Sequence, residues 1–136
     1  MFELFEHTAD LGLRVRAPDL DTLFREAAEG LFSMIVEHWE PDDTAREYRF
    51  ALRAGRRDDL FFDWLNELLY TFDTTHCLLG RFELNVAGTK LVARAWGTPL
   101  DLSVHRLLHE VKAITYHGLL VEPTDAGWLA EVIVDI

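Results

Sequence analysis

Oxygen donors crowd both ends of this chain. The last 24 residues, after Lys112, hold no Lys or Arg but carry Glu122, Asp125, Glu131 and Asp135, and Asp135 stands one residue from the α-carboxylate of Ile136. Carboxylates this close repel, and must be solvated, protonated or bridged by a cation. A donor set made only of oxygen suits calcium or magnesium rather than zinc. Near the start, Glu6-His7-Thr8-Ala9-Asp10 is a polar cluster between the segments Phe2–Phe5 and Leu11–Ala17, where a loop between two strands is expected. It offers a third carboxylate, Asp10, although Thr8 and Asp10 are also ordinary capping and turn residues.

Other chemistries have less to work with. His105 and His109 are four apart with Glu110 following, so on a helix they would share a face. The zinc-protease pattern puts its glutamate directly after the first histidine, where this chain has Arg106, and no third ligand is indicated; hydrated or core-edge histidines are the simpler reading. There is no Walker-type phosphate loop, no Rossmann glycine pattern and no Gly-x-Ser-x-Gly elbow, and the only serines are Ser33 and Ser103. The single Cys77 cannot make an internal disulfide or a thiolate cage, and beside Leu78 and Leu79 it reads as a small buried hydrophobe.

The bulk properties set limits on partners. With 136 residues, 49% hydrophobic and 27% charged, the chain is expected to form one domain with a real core. Against 13 Lys and Arg stand 24 Asp and Glu, a formal net charge of -11. Such a surface repels phosphate backbones, so no stable unaided nucleic-acid binding is expected, whereas a basic partner or a bound cation is welcome. No apolar run approaches the ~20 residues of a membrane helix. The start, Met1-Phe2-Glu3-Leu4, lacks the basic region and long apolar stretch of a signal peptide, and a reducing, cytoplasmic setting is expected.

The elements that must position these residues follow from periodicity. Leu11–Ala17 alternates as a half-buried strand and stops at Pro18; Asp19 is placed to cap a helix whose stripe is Leu20, Leu23, Phe24, Ala27, Leu31 and Ile35. Residues 19–47 hold nine acids and two arginines, which predicts the most acidic face of the molecule. Tyr48, Phe50 and Leu52 alternate as a second strand. Asp58 is a candidate cap for a second helix, in which Phe61, Trp64, Leu65, Leu68, Leu69 and Phe72 keep helical spacing and Phe62 widens the apolar arc; this aromatic stripe is read as core. Residues 81–86 and 90–96 form a hairpin about Ala87-Gly88-Thr89, residues 100–110 fit neither period, and Val111–Val121 is expected to be extended. Pro123–Gly127 is expected to be a loop. Trp128–Ile136 is apolar on both faces, as a central strand must be. The order predicts an α+β domain, two helices packed on a largely antiparallel sheet.

Four segments together resemble the archease family: Glu6-His7-Thr8-Ala9-Asp10-Leu11-Gly12, Trp64-Leu65-Asn66-Glu67-Leu68-Leu69-Tyr70, Val111-Lys112-Ala113-Ile114-Thr115-Tyr116-His117-Gly118-Leu119 and Val132-Ile133-Val134-Asp135-Ile136. They run in the family's order across residues 1–136, whereas 100–110 matches least well. The resemblance implies a non-catalytic accessory protein of the tRNA-splicing RNA ligase, a manganese-dependent enzyme guanylylated by GTP on a histidine. Its accessory role is to promote that guanylylation, to restore multiple turnover and to broaden nucleotide use. It also implies a divalent cation, calcium in the family, held by Asp10, Asp135 and the main-chain or terminal oxygens of Ile136. Glu6, His7, Lys112 and His117 lie in the matched motifs and are candidates for supporting the ligands or meeting the partner. Two rival readings use the same residues. One is a metal-dependent hydrolase or phosphotransferase, and the other an acidic mimic that occupies a basic channel.

Overall fold

The computed structural model describes residues 1–7 and 10–136. Of the loop expected over Glu6–Asp10, Glu6, His7 and Asp10 are strand residues, and Thr8-Ala9 lies outside the described residues. In chain order the elements are β1 (Phe2–His7), β2 (Asp10–Ala17), α1 (Leu20–Ile35), β3 (Arg46–Arg53), α2 (Arg57–Thr75), β4 (Cys77–Ala87), β5 (Lys90–Pro99), β6 (Ala113–Ile114), β7 (Leu120–Thr124) and β8 (Gly127–Asp135). This is the α+β class expected, with two helices and antiparallel strand pairing throughout. The strands divide between two sheets. One runs β1-β2-β8-β6, with β7 also on β8; the other runs β3-β5-β4.

β8 is central, flanked by β2 on one side and by β6 and β7 on the other. Ala130, Val132 and Val134 enter the core, and Ile133 is buried on the opposite face, which is why this strand can be apolar all round. Its partner β7 accepts Pro123, opposite Trp128, because the missing N–H costs nothing on a side that pairs with no other strand. The loop expected over Pro123–Gly127 is accordingly shorter: Pro123 and Thr124 stay in β7, and the turn is left to Asp125-Ala126. The extended run expected over Val111–Val121 is broken as well. Only Ala113–Ile114 and Leu120–Val121 are strand, because the chain turns at Gly118 (φ 65°), where the Leu119 amide donates to the Tyr116 carbonyl.

Both helices begin where chain chemistry permits, in different ways. The Thr22 amide donates to Asp19 Oδ1 at 2.7 Å, so Asp19 caps α1 as its type and position require. At α2 the expected cap is displaced: Arg56 occupies the N-cap without a side-chain bond, and Asp58 lies inside the first turn beside Asp59, where their charge favours the helix dipole.

The core is one continuous apolar cluster between the helices and the two sheets. Trp64 is fully buried, edge-on to Phe50 of β3 and Phe82 of β4, and its indole N–H donates to the Phe24 carbonyl at 2.9 Å, tying α2 to α1. Phe24 and Phe61 also meet edge-to-face. The aromatic stripe of α2 is therefore packing, as read from the sequence. Cys77 is buried, and the Tyr48 hydroxyl donates to its sulfur at 3.3 Å.

Residues 100–110 resolve into a turn and a strap. Asp101 Oδ1 accepts from the Ser103 amide and hydroxyl, and the His105 amide donates back to the Asp101 carbonyl. The chain then runs beside the end of α1: the Leu108 and His109 amides donate to the Ile35 and Met34 carbonyls, and the Glu37 amide to the Arg106 carbonyl. These bonds satisfy carbonyls that a helix end otherwise leaves orphaned. His105 and His109 are thus not on a helix, and the face they would have shared does not exist.

A candidate metal site at one end of the sheet

Strand register brings the two chain ends together. His7 pairs with Asp10 where β1 and β2 are joined, Asp10 pairs with Asp135 across β2 and β8, and Asp135 pairs with Ala113 of β6. The Lys112 amide adds a bond to the Asp135 carbonyl at 2.8 Å. Residues directly opposite in an antiparallel pair project from the same face of the pleat. His7, Asp10 and Asp135 therefore share one face at the end of the five-stranded sheet.

The immediate surroundings sharpen the chemistry. His7 Nδ1 is buried, has no hydrogen-bond partner among the described residues, and lies 3.8 Å from Asp10 Oδ2. The His117 ring is 5.2 Å from that of His7, tilted by 57°. On the same face, Arg14 bonds Glu131 at 2.6 Å and Glu3 at 3.2 Å, and these two carboxylates hold its guanidinium still more firmly protonated. The nearest cation of this face is thereby engaged. Among the described residues neither Asp10 nor Asp135 is ion-paired with Arg or Lys.

Of the residues singled out from sequence, the fold gathers Asp10, Asp135, Ile136, His7, His117 and Lys112 at this end. It does not bring Glu6 into the set: Glu6 pairs with Leu11, itself opposite the buried Val134, and so belongs to the other face. Nor does it bring in His105 or His109. Among the described residues no group of three His, Cys, Asp or Glu side chains stands close enough to hold a metal on side chains alone. Sequence reasoning missed the Arg14–Glu131–Glu3 network, whose only signal was Arg14, one of two arginines in an alternating strand.

Gly12 of the opening motif has a packing reason. It lies opposite Phe5, whose ring covers the bare backbone, and a β-carbon there would overlap the ring. The Arg14 guanidinium in turn sits 4.6 Å from the Phe5 ring centroid. The motif thus stiffens the hairpin that carries His7 and Asp10.

These features define a small α+β protein whose first hairpin and last strand close on an acidic sheet end. Comparison with known proteins gives that architecture a family. The model of the archease protein family matches residues 2–136, and the chain belongs to the archease family. The protein archease of Methanopyrus kandleri is 36% identical over 99% of both chains, and that of Pyrococcus abyssi 35% identical over 99% of this chain and 98% of its own. Among solved structures, the solution structure of Methanobacterium thermoautotrophicum protein 1598 superposes with a TM-score of 0.79 at 28% identity, covering 99% of this chain and 98% of that one. A crystal structure of an archease, possible chaperone, from Thermotoga maritima shares the fold with a TM-score of 0.66 at 20% identity, covering 100% of this chain and 98% of that one.

Proposed function

We propose that this protein, acting as a single domain over residues 1–136 in the cytoplasm, is a non-catalytic activator of the GTP- and manganese-dependent tRNA-splicing RNA ligase. Its action is to promote ligase guanylylation and multiple turnover and to widen nucleotide use. It carries a divalent cation, calcium by family likeness, on Asp10, Asp135 and the main-chain or terminal carboxylate oxygens of Ile136.

The observation that carries the reading is the pairing of Asp10 with Asp135, which sets on one face two carboxylates that have no Arg or Lys partner among the described residues. The donor set fits a hard cation, because carboxylate and main-chain oxygens are the ligands calcium takes. Two side chains alone do not complete such a site, so Ile136 oxygens are required of it. When bound, the cation supplies a fixed positive centre that a partner's carboxylate or phosphate oxygen could complete. His7 and His117 line the approach, and Lys112 anchors β8 through its main chain.

A multiple-turnover ligation assay with the cognate ligase tests the reading. Added protein raises turnover, and Asp10→Ala abolishes the rise while leaving the fold intact. Full stimulation by that variant overturns the cation's role, and product formed from GTP and cyclic-phosphate RNA without ligase overturns the accessory role.

A further inference from the structure

The strap of residues 100–112, between β5 and β6, is fastened to the end of α1 by main-chain bonds; Asp101, Ser103, His105 and Arg106 make polar side-chain contacts, and four of its large apolar side chains face outward. Leu102 is 69% exposed, Val104 75%, Leu107 47% and Leu108 46%. Four large apolar side chains within seven residues make a patch rather than the usual scatter.

Two acidic hollows adjoin the strap at Leu108, which lines both, and Leu107 lines the second. One, about 710 Å³, has Phe32 and Trp39 in its wall and Glu29, Glu37 and Glu40 among its lining residues. The other, about 550 Å³, is lined by Phe72 and Leu100 with Asp73 and Glu110. Arg25 lies 3.6 Å from Glu29 and Arg106 4.0 Å from Glu37, whereas Glu40, Asp73 and Glu110 have no Arg or Lys partner among the described residues; the Arg81 guanidinium is stacked 4.3 Å from the Trp96 ring centroid, and Lys112 is the other cation of the lining. Desolvation raises the carboxyl pKa of Glu29 and of Asp73, with Arg25 opposing the first and His76 the second, while Glu110 adds to the second. The second hollow ends at Val111 and Lys112, the residues that lead to Asp135.

We propose that the strap is a docking surface for a protein segment that alternates apolar and basic side chains. Its apolar residues cover Leu102, Val104, Leu107 and Leu108, and its Lys or Arg residues enter the two acidic hollows. That the ligase carries this segment rests on the function proposed above. Charge complementarity selects such an occupant: an acidic peptide would be repelled from both hollows, and a purely apolar one would desolvate Glu40, Asp73 and Glu110 without supplying a partner. Arginine also suits the first hollow because its stem can lie on apolar surface while its head meets the Trp39 ring and the glutamates.

The test is titration of the full-length protein with the cognate ligase at low and moderate salt, using wild type, Leu102→Ser/Val104→Ser and Glu110→Lys. All three replaced side chains are exposed, and unchanged melting checks that the fold is kept. The double serine variant is expected to bind about tenfold more weakly with the same salt dependence. Glu110→Lys is expected to bind more weakly with a flatter salt dependence. Wild-type affinity in both variants overturns the docking surface and leaves the activator reading standing. A wild-type protein that does not bind the ligase overturns both. A wild type that is dimeric and becomes monomeric in the double serine variant also overturns the proposal, since a second copy would then be the occupant.

Discussion

Asp10 and Asp135 stand opposite each other across the antiparallel β2–β8 pair, although 125 positions separate them in the chain. Like charges in direct cross-strand register destabilise a sheet. No Arg or Lys side chain among the described residues neutralises them. A sheet end built this way welcomes a cation that joins the two carboxylates.

Replacing one member relieves that repulsion and removes a ligand together. Asp135→Asn is expected to melt at or slightly above the wild-type temperature without divalent cations. Calcium should raise the melting temperature of wild type and leave the variant unchanged. Thermal denaturation with and without calcium, after chelation, reads both effects.

The joint between the helices is a second target. Trp64→Phe removes the indole N–H that bonds the Phe24 carbonyl and leaves a void between Phe50 and Phe82. The expected cost is about 2–3 kcal/mol, measured by urea denaturation.

Gly127 begins β8 with φ 140°, a conformation L side chains rarely adopt, and a β-carbon there would run into the backbone of Ala17 and Pro18. Gly127→Ala is expected to cost about 2–4 kcal/mol, since neither the strain nor the backbone overlap can be relieved by a rotamer change. It should also weaken calcium binding, because β8 carries Asp135. Denaturation and a calcium titration on the same variant check the two effects.

The α1 cap gives a pH signature. Hydrogen bonds from the Thr22 backbone, then its side chain, hold the Asp19 carboxyl below its ordinary 3.8. A depressed folded-state pKa means that the cap's stabilisation is fully present above the unfolded value and is lost as pH falls through the lower folded one. Asp19→Ala should therefore cost about 1 kcal/mol at pH 7, with the difference from wild type shrinking below the ordinary carboxylate range. Urea denaturation at pH 7 and at acid pH measures it.

Not all the acidity of residues 19–47 is free surface charge. Asp21 Oδ1 accepts the Val86 amide of β4 at 2.7 Å, Asp19 caps its helix, and Glu29 is ion-paired with Arg25 at 3.6 Å. A count of acids along the chain cannot distinguish a carboxylate facing water from one tying a helix to a sheet.

What the sequence determined by itself was whatever depends on neighbours along the chain. The Asp19 cap, the core stripes of both helices, the hairpin about Gly88 and the two-sided apolar pattern that makes β8 central are all set by local chemistry and by periods of two or 3.6 residues. Tertiary structure alone decided how the strands were shared between two sheets and where Val111–Val121 broke. It also decided that residues 100–110 would follow the end of α1 rather than form an element of their own. Those outcomes turn on hydrogen bonds between distant segments, such as the strap amides with the Met34 and Ile35 carbonyls, and on register. Register likewise separated the candidate residues: a one-residue step on a strand reverses the face, so His7 joined Asp10 and Asp135 while Glu6 beside it was turned toward Leu11 and Val134.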